Sequence, residues 1–129
     1  MLNYLFVMLG GAIGTGARFW LSGAVAARYD DAFPLGTVLV NVTGCFVVGL
    51  LATLCEPSGR LLTSPTTRQF LVLGICGGYT TFSSFTLQTI DLARDGDWFR
   101  AGLNVLISVV LCLLATWLGR VIALAIFVR

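Results

Sequence analysis

The order of apolar and polar positions divides the chain into four long, mostly apolar runs that contain no acidic residue. Each run is long enough to cross about 30 Å of hydrocarbon as a helix. Alternation with a period of two residues, which is typical of transmembrane β-strands, is absent. The pattern predicts an all-α membrane protein, a single transmembrane domain over residues 1–129, with four transmembrane helices at approximately 2–27, 32–55, 69–90 and 101–124.

The centre of the third run, residues 77–85, reads GGYTTFSSF. Two adjacent glycines and four serine or threonine residues weaken a helix. We therefore expect them to unwind it, so that the third helix is broken at its centre. Backbone groups freed inside a bilayer must be buried in protein or line a cavity. In the first run, Gly10 and Gly14 lie one turn apart and predict close packing against another helix.

Three of the runs carry a stripe of polar residues along one helix face. Polar side chains at membrane depth are costly and turn inward. Hydrogen bonding between packed helices explains a single stripe, whereas three stripes in one short chain favour a polar pathway. The stripes consist of Thr37, Asn41 and Cys45 in the second run, Thr80, Thr81, Ser83 and Ser84 in the third, and Asn104, Ser108, Cys112 and Thr116 in the fourth.

The residues available to such a pathway favour an anion. The central parts of the runs hold no Asp or Glu, while amides and hydroxyls donate hydrogen bonds. Arg18 is either a packing residue that snorkels or a fixed positive charge at a vestibule. Phe82 and Phe85 lie one turn apart, and their positive ring edges could hold a small anion. On spacing alone, however, ordinary packing is the more common role of such a pair.

The composition excludes several classes of protein. Hydrophobic residues make up 57% of the chain and charged residues 11%, against roughly 25% charged residues in soluble domains. The expected surrounding is a lipid bilayer, and the net charge of +2 gives no reason to expect a nucleic-acid partner. Without histidine, spaced metal ligands or a buried acid–base pair, the chain is not expected to be an enzyme. The cysteines fit no zinc or redox spacing and are interpreted as packing residues: Cys45, Cys55, Cys76 and Cys112.

All eight basic residues are arginines, and they are distributed almost evenly over the two sides of the membrane. An excess of arginine on one side sets the orientation of a membrane protein, so an even distribution predicts insertion both ways. Four short helices also enclose little of a polar pathway alone. We therefore expect an antiparallel homodimer of dual topology. One side would carry Arg60, Arg68, Arg120 and Arg129, and the other Arg28, Arg94 and Arg100, with Arg18 if it snorkels there.

The motif GGYTTFSSF resembles the GG-x-TTFS-x-F signature of the CrcB/Fluc fluoride channel family. The whole chain is similar in order, with GGAIGTGARFW in the first run, PLGTVLVNVTG in the second and LNVLIS in the fourth. The resemblance implies a fluoride-selective channel of the bacterial cytoplasmic membrane that exports cytoplasmic fluoride down its gradient and lowers its toxicity. It also implies two pores per antiparallel dimer. A structural Na⁺ ion at the dimer interface would be held by the backbone carbonyls of Gly77 and Thr80.

The resemblance further implies roles along the fluoride path. Phe82 and Phe85 match paired phenylalanines whose ring edges line the path, and Asn41 matches an asparagine that donates to the ion. Arg18 matches an arginine near the vestibule. Gln88 departs from several members of the family, which have glutamate there. The rest of the polar track is matched by Thr37, Ser83, Asn104 and Ser108.

Two other functions stay open at this point. A small multidrug exporter of dual topology has a similar size. Such exporters share a membrane-embedded glutamate in the first span, where this chain has only Arg18 as a charged side chain. A non-conducting membrane scaffold is the second alternative, and the three polar stripes argue against it.

Overall fold

The computed structural model describes residues 2–29, 32–56 and 64–127. Within these ranges every regular element is helical: α1 (Leu2–Ala26), α2 (Leu35–Leu54), α3 (Pro65–Arg68), a π-helix (Gln69–Cys76), α4 (Gly77–Tyr79), α5 (Phe82–Arg94) and α6 (Trp98–Phe127). In the described part of the chain, four helical stretches are long and apolar enough to cross a membrane: Asn3–Ala26, Leu35–Leu54, Pro65–Arg94 and Trp98–Ile126. The predicted all-α class with four membrane-capable helices is confirmed.

Capping residues explain why the last two stretches begin earlier than the corresponding apolar runs. The Ser64 hydroxyl oxygen accepts a hydrogen bond from the Thr67 N–H at 3.1 Å. At the start of α6, Asp97 Oδ1 accepts from the Arg100 N–H at 3.0 Å. Each cap satisfies a backbone N–H that has no partner inside the helix. The third and fourth apolar runs were counted only from the residue after Arg68 and after Arg100, whereas the helices extend back to their caps.

A tight turn connects α5 to α6. Gly96 has a φ of +84°, which glycine adopts without steric cost. The Asp97 N–H donates to the Leu92 carbonyl oxygen at 2.9 Å, and the Gly96 N–H donates to that of Ala93 at 3.1 Å. These two bonds satisfy carbonyl groups at the end of α5. The turn returns the chain beside α5, so that the first turns of α6 pack against it.

Glycines allow α1 to approach the third membrane stretch closely. A Cβ atom at Gly14 would overlap the Ile75 carbonyl oxygen, and one at Gly10 would lie 2.7 Å from a backbone carbonyl oxygen of the π-helix. From the other side, a Cβ at Gly78 would lie 2.5 Å from the Gly11 carbonyl oxygen. The predicted packing through Gly10 and Gly14 is confirmed.

A second closely packed pair is formed by α2 and α6. Gly49 lies against the Thr116 carbonyl, and Gly119 lies against the Phe46 carbonyl, so neither position has room for a side chain. Away from these contacts the helices present large exposed apolar side chains, for example Phe19 of α1. In a bilayer this surface is suited to contact with lipid or with another protein chain.

The third membrane stretch changes conformation at Thr80 and Thr81, between α4 and α5. Thr80 has φ −75° and ψ 155°, and Thr81 has φ −146° and ψ 112°. We call these two residues the extended link. The expectation that the glycines of the motif supply unwound backbone is wrong, because both lie in α4. β-Branched threonines favour extended backbone, whereas Gly78 provides room for α1.

Candidate functional site

Asn41 of α2 is hydrogen-bonded to the extended link through both ends of its carboxamide. Its Oδ1 accepts from the Thr81 N–H at 2.7 Å, and its Nδ2 donates to the Thr81 carbonyl oxygen at 3.0 Å. Both residues are buried. Buried backbone groups that lose their helical partners need other partners. Asn41 provides them, and it thereby holds the extended link against α2.

Two backbone N–H groups turn away from the carbonyls that they would reach in a continuous helix. In an α-helix each N–H bonds to the carbonyl four residues earlier. The Thr81 N–H, four residues after Gly77, donates to Asn41 instead. The Ser84 N–H, four residues after Thr80, donates to the Thr81 hydroxyl at 3.2 Å. The carbonyl oxygens of Gly77 and Thr80 are therefore released from these helical donors, and Gly77 is exposed.

A cavity of about 250 Å³, which we call the inner cavity, lies beside the extended link. The structure brings four of the predicted path residues to its wall: the Asn41 amide, the Phe82 and Phe85 rings and the Ser108 hydroxyl. Among the described residues no acidic side chain lines it. The polar side chains in its wall are therefore able to donate hydrogen bonds. The full lining is Asn41, Cys45, Thr80, Thr81, Phe82, Phe85, Ser108, Val109 and Cys112.

Phe82 and Phe85 form a tilted pair, with ring centroids 5.3 Å apart and an angle of 50° between the ring planes. Tilted and edge-to-face pairs place a positive ring edge near a negative ring face. The two rings differ in environment, since Phe85 is 7% exposed and Phe82 is 75% exposed. Phe85 is fixed by packing inside the chain. Phe82 projects from the chain and is available to lipid or to a second chain.

A larger cavity of about 400 Å³, the outer cavity, opens where the ends of α1, α2 and α5 meet. Thr37 and Gln88 line it, together with two acidic residues near the end of α5, Asp91 and Asp95. Gln88 Oε1 is buried and has no hydrogen-bond partner among the described residues. An unpaired buried amide oxygen is costly, so this atom marks a polar position inside the cavity wall.

The two cavities share α2 and α5 as walls. Thr37 of the outer cavity and Asn41 of the inner cavity are four residues apart on α2. On α5, Gln88 and Phe85 are three residues apart and line the outer and inner cavity, respectively. Residues with these spacings are neighbours on one helix face. Along α2, hydrogen-bonding side chains therefore continue from the outer cavity to the inner cavity, and along α5 the Gln88 amide is followed by the Phe85 ring.

Asn104 lines neither of these two cavities. It is 1% exposed, and its Nδ2 donates to the Thr89 hydroxyl oxygen at 2.8 Å. Its Oδ1 accepts from the Ser108 hydroxyl at 3.4 Å. The bond to Thr89 connects α6 to α5, and the bond within α6 holds the hydroxyl of Ser108, which does line the inner cavity. In this structure Asn104 is a buried interhelical contact.

Two further predicted residues lie beside the cavities and not in their walls. Ser83 is exposed, and its hydroxyl oxygen lies 3.3 Å from that of Thr81. Arg18 is half-buried on α1. One turn further along α1, Ser22 lines the outer cavity. Arg18 is thus close in sequence to the wall of the outer cavity, on the same helix face.

Comparison with known proteins identifies the family. A family model described as "CrcB-like protein, Camphor Resistance (CrcB)" matches residues 5–120. The chain belongs to the CrcB-like family. With its four membrane-capable helices, this CrcB-like chain is a multi-pass membrane protein.

Curated relatives named fluoride-specific ion channel FluC match almost the whole of this CrcB-like chain. The protein from Opitutus terrae is 56% identical over 95% of this chain and 93% of its own length. The one from Paramagnetospirillum magneticum is 54% identical over 95% and 96%, respectively. The one from Methylocella silvestris is 50% identical over 97% and 95%.

Sequence reasoning missed two contacts in this CrcB-like chain. The pairing of Asn41 with Thr81 joins residues 40 positions apart, and no periodicity within one helix predicts it. The contact of Asn104 with Thr89 joins α6 to α5. Its available signal was that Thr89 follows Phe85 by four residues and so lies on the same face of α5.

Proposed function

We propose that this chain is a fluoride-selective ion channel that exports cytoplasmic fluoride down its electrochemical gradient across the bacterial cytoplasmic membrane. Such export lowers fluoride toxicity. The observation that carries the proposal is the identity of 50–56% to fluoride-specific ion channels over nearly the whole chain. The succession of outer and inner cavities along α2 and α5 supports a route for the ion.

The chemistry of the cavity walls suits a small anion. A bare ion in hydrocarbon faces a cost of order tens of kcal/mol, so its hydration must be replaced along the path. An amide nitrogen has two hydrogens, and Asn41 uses one of them for Thr81. The other hydrogen and the ring edges of Phe82 and Phe85 are available to fluoride. The Ser108 hydroxyl donates to fluoride once it rotates away from its long contact with Asn104 Oδ1. Neutral donors bind an anion weakly enough for it to leave again.

Residues outside the inner cavity act on either side of this route. Thr37 provides a hydroxyl at the boundary with the outer cavity, and Ser83 provides one at the exposed end of α5. Arg18, one turn from the outer cavity wall, adds positive potential that attracts anions. Asn104 acts indirectly, because its Oδ1 accepts the Ser108 hydroxyl hydrogen whenever that hydrogen is not donated to the ion.

The working unit in this proposal is an antiparallel homodimer with two fluoride paths. In the single chain, Phe82 is 75% exposed although it lines the inner cavity. A second chain would complete the enclosure of that ring. The even distribution of arginines over the two membrane sides supports opposite orientations of the two copies. In this arrangement the extended link is the break in the third membrane helix that serves the fluoride path.

A structural Na⁺ ion fits the backbone at this break. Hard cations bind oxygen ligands, and unwound carbonyls coordinate Na⁺ in membrane transporters. The carbonyl oxygens of Gly77 and Thr80 have lost their helical donors. We propose that they hold the ion, with the matching oxygens of a second copy. When bound, Na⁺ supplies positive charge near the fluoride path and joins the two copies.

Fluoride efflux from liposomes that contain the purified protein tests the proposal. Liposomes loaded with potassium fluoride are diluted into fluoride-free medium, and a fluoride electrode follows the external concentration. Since a channel moves net charge, we expect rapid efflux once a potassium ionophore balances that charge. Efflux no faster than from protein-free liposomes contradicts the proposal.

A further inference from the structure

Two cysteine thiols face the inner cavity from neighbouring helices. Cys45 lies on α2 and Cys112 on α6, and both line the cavity. Both are free and half-buried. Each lies one helical turn before a residue of the close contact between Gly49 of α2 and Thr116 of α6, which brings the two helices together at this depth. Packing alone accounts for Cys55 and Cys76, which are buried. It does not account for two adjacent thiols at the wall of an open space.

A pair of thiolates is a ligand set for soft metal cations. The part of the chain that the structure describes holds no group of three or more His, Cys, Asp and Glu residues that could bind a metal. A closed tetrahedral site of the zinc type is therefore not formed there. Two sulfurs alone suit soft cations that accept two ligands on opposite sides, of which Hg²⁺ is an example.

The charge balance of binding favours a divalent cation. Two thiols and one divalent cation give a neutral bis-thiolate, and the two thiol protons are released to solvent. Both metal–sulfur bonds form at the expense of the sulfur–hydrogen bonds, and no electron is transferred. The neutral product avoids the cost of burying an ion in a low-dielectric site. A monovalent cation would leave one uncompensated negative charge beside the Phe82 and Phe85 rings.

We propose that Cys45 and Cys112 form a two-thiolate site for a soft divalent metal cation, and that a cation bound there blocks the inner cavity. The binding part depends only on the two thiols. The blocking part rests on the proposed function, since the site shares its wall with Asn41, Phe82 and Phe85. The two parts are tested by separate measurements.

Titration of the purified protein with Hg²⁺ tests the binding site. The ultraviolet absorbance of mercury–thiolate bonds is followed in the presence of a small monothiol, which removes Hg²⁺ from single cysteines. We expect wild type and the control Cys55→Ser to take up one equivalent per chain. Cys45→Ser and Cys112→Ser should each lose this stoichiometric uptake, because one of the two ligands is missing.

The titration overturns the site if both single variants keep the uptake, or if Cys55→Ser loses it. Size-exclusion chromatography shows whether each variant is folded. Cys45→Ala and Cys112→Ala replace any serine variant that does not elute with the wild type.

Fluoride efflux tests the block. One equivalent of Hg²⁺ should abolish most of the efflux from liposomes with wild type or Cys55→Ser, and an excess of a dithiol should restore it. Cys112→Ser should keep the efflux that it shows without the metal. Binding without loss of efflux overturns the block and leaves the site standing. Absence of efflux before Hg²⁺ is added contradicts the proposed function, while the titration still decides the site.

Discussion

At the scale of single residues, Asn41 combines a structural and a functional contribution. Its carboxamide satisfies both backbone groups of Thr81, and its remaining N–H bond is available in the inner cavity. Ser108 also lines that cavity, and its hydroxyl donates its one hydrogen to Asn104 over a long distance of 3.4 Å. The two residues therefore separate the two contributions, because only Asn41 supports the extended link.

Substitution of these two residues by alanine should give different results. Asn41→Ala leaves two buried backbone groups unpaired at roughly 1–3 kcal/mol each, so we expect a lower unfolding temperature as well as a loss of fluoride efflux. Ser108→Ala should reduce efflux with little change in unfolding temperature. Thermal unfolding in detergent and liposome efflux are measured for both. A stability loss in Asn41→Ala no larger than that in Ser108→Ala would contradict the support of the extended link by Asn41.

At the scale of helices, close backbone contact fixes α1 against the third membrane stretch. Gly14 and Gly16 lie two residues apart on α1 and differ in what a Cβ atom would meet. At Gly14 it would overlap the Ile75 carbonyl, whereas at Gly16 nothing lies within 4 Å. The two positions have the same residue type in the same helix, which makes them a matched pair.

Gly14→Ala should therefore destabilise the protein, and Gly16→Ala should not. Forcing a methyl group into a closely packed contact costs about 1–3 kcal/mol, while alanine in a helix is favoured over glycine by up to about 1 kcal/mol. Thermal unfolding of the two variants in detergent measures the difference. Equal unfolding temperatures would show that α1 does not need the close contact at Gly14.

The helices themselves were largely predictable, and their contacts were not. Apolar runs indicate the four membrane stretches because the energetic requirement of the bilayer acts on each helix separately. The placement of the extended link at Thr80 and Thr81, and not at the glycines, depends on partners from α1 and α2. The family resemblance and the polar stripe predicted Asn104 for the path, which stays a prediction, whereas its bond to Thr89 of another helix was not predicted. The position of the extended link and the Asn104–Thr89 bond both depend on contacts between helices. The spacing of polar residues along one helix carries no information about those contacts.

At the scale of the whole molecule, the proposal requires two chains in opposite orientations. The arginines divide almost evenly between the two sides, so neither orientation is favoured by the loops. The exposed ring of Phe82 and the exposed Gly77 give a second chain surfaces to cover. A symmetric pair of chains accounts for the even distribution of arginines and for these exposed positions.

Cysteine labelling in intact cells tests this orientation. Single cysteines at position 60 or position 95, in a variant without the four native cysteines, are exposed to a membrane-impermeant thiol reagent. We expect each position to be labelled in about half of the molecules, because insertion occurs both ways. Labelling of one position in all molecules and of the other in none would rule out dual topology.

The central claim is that fluoride crosses the membrane past the ring edges of the inner cavity. Its most direct test is fluoride efflux from liposomes with wild type, Phe82→Ile or Phe99→Ile. Isoleucine keeps apolar bulk at position 82 and removes the ring edge. Phe99 is 78% exposed and lines neither cavity described above, so its substitution is the control. We predict rapid efflux with wild type and Phe99→Ile and a strong loss with Phe82→Ile. Wild-type efflux no faster than from empty liposomes, or equal efflux in all three proteins, would contradict the account.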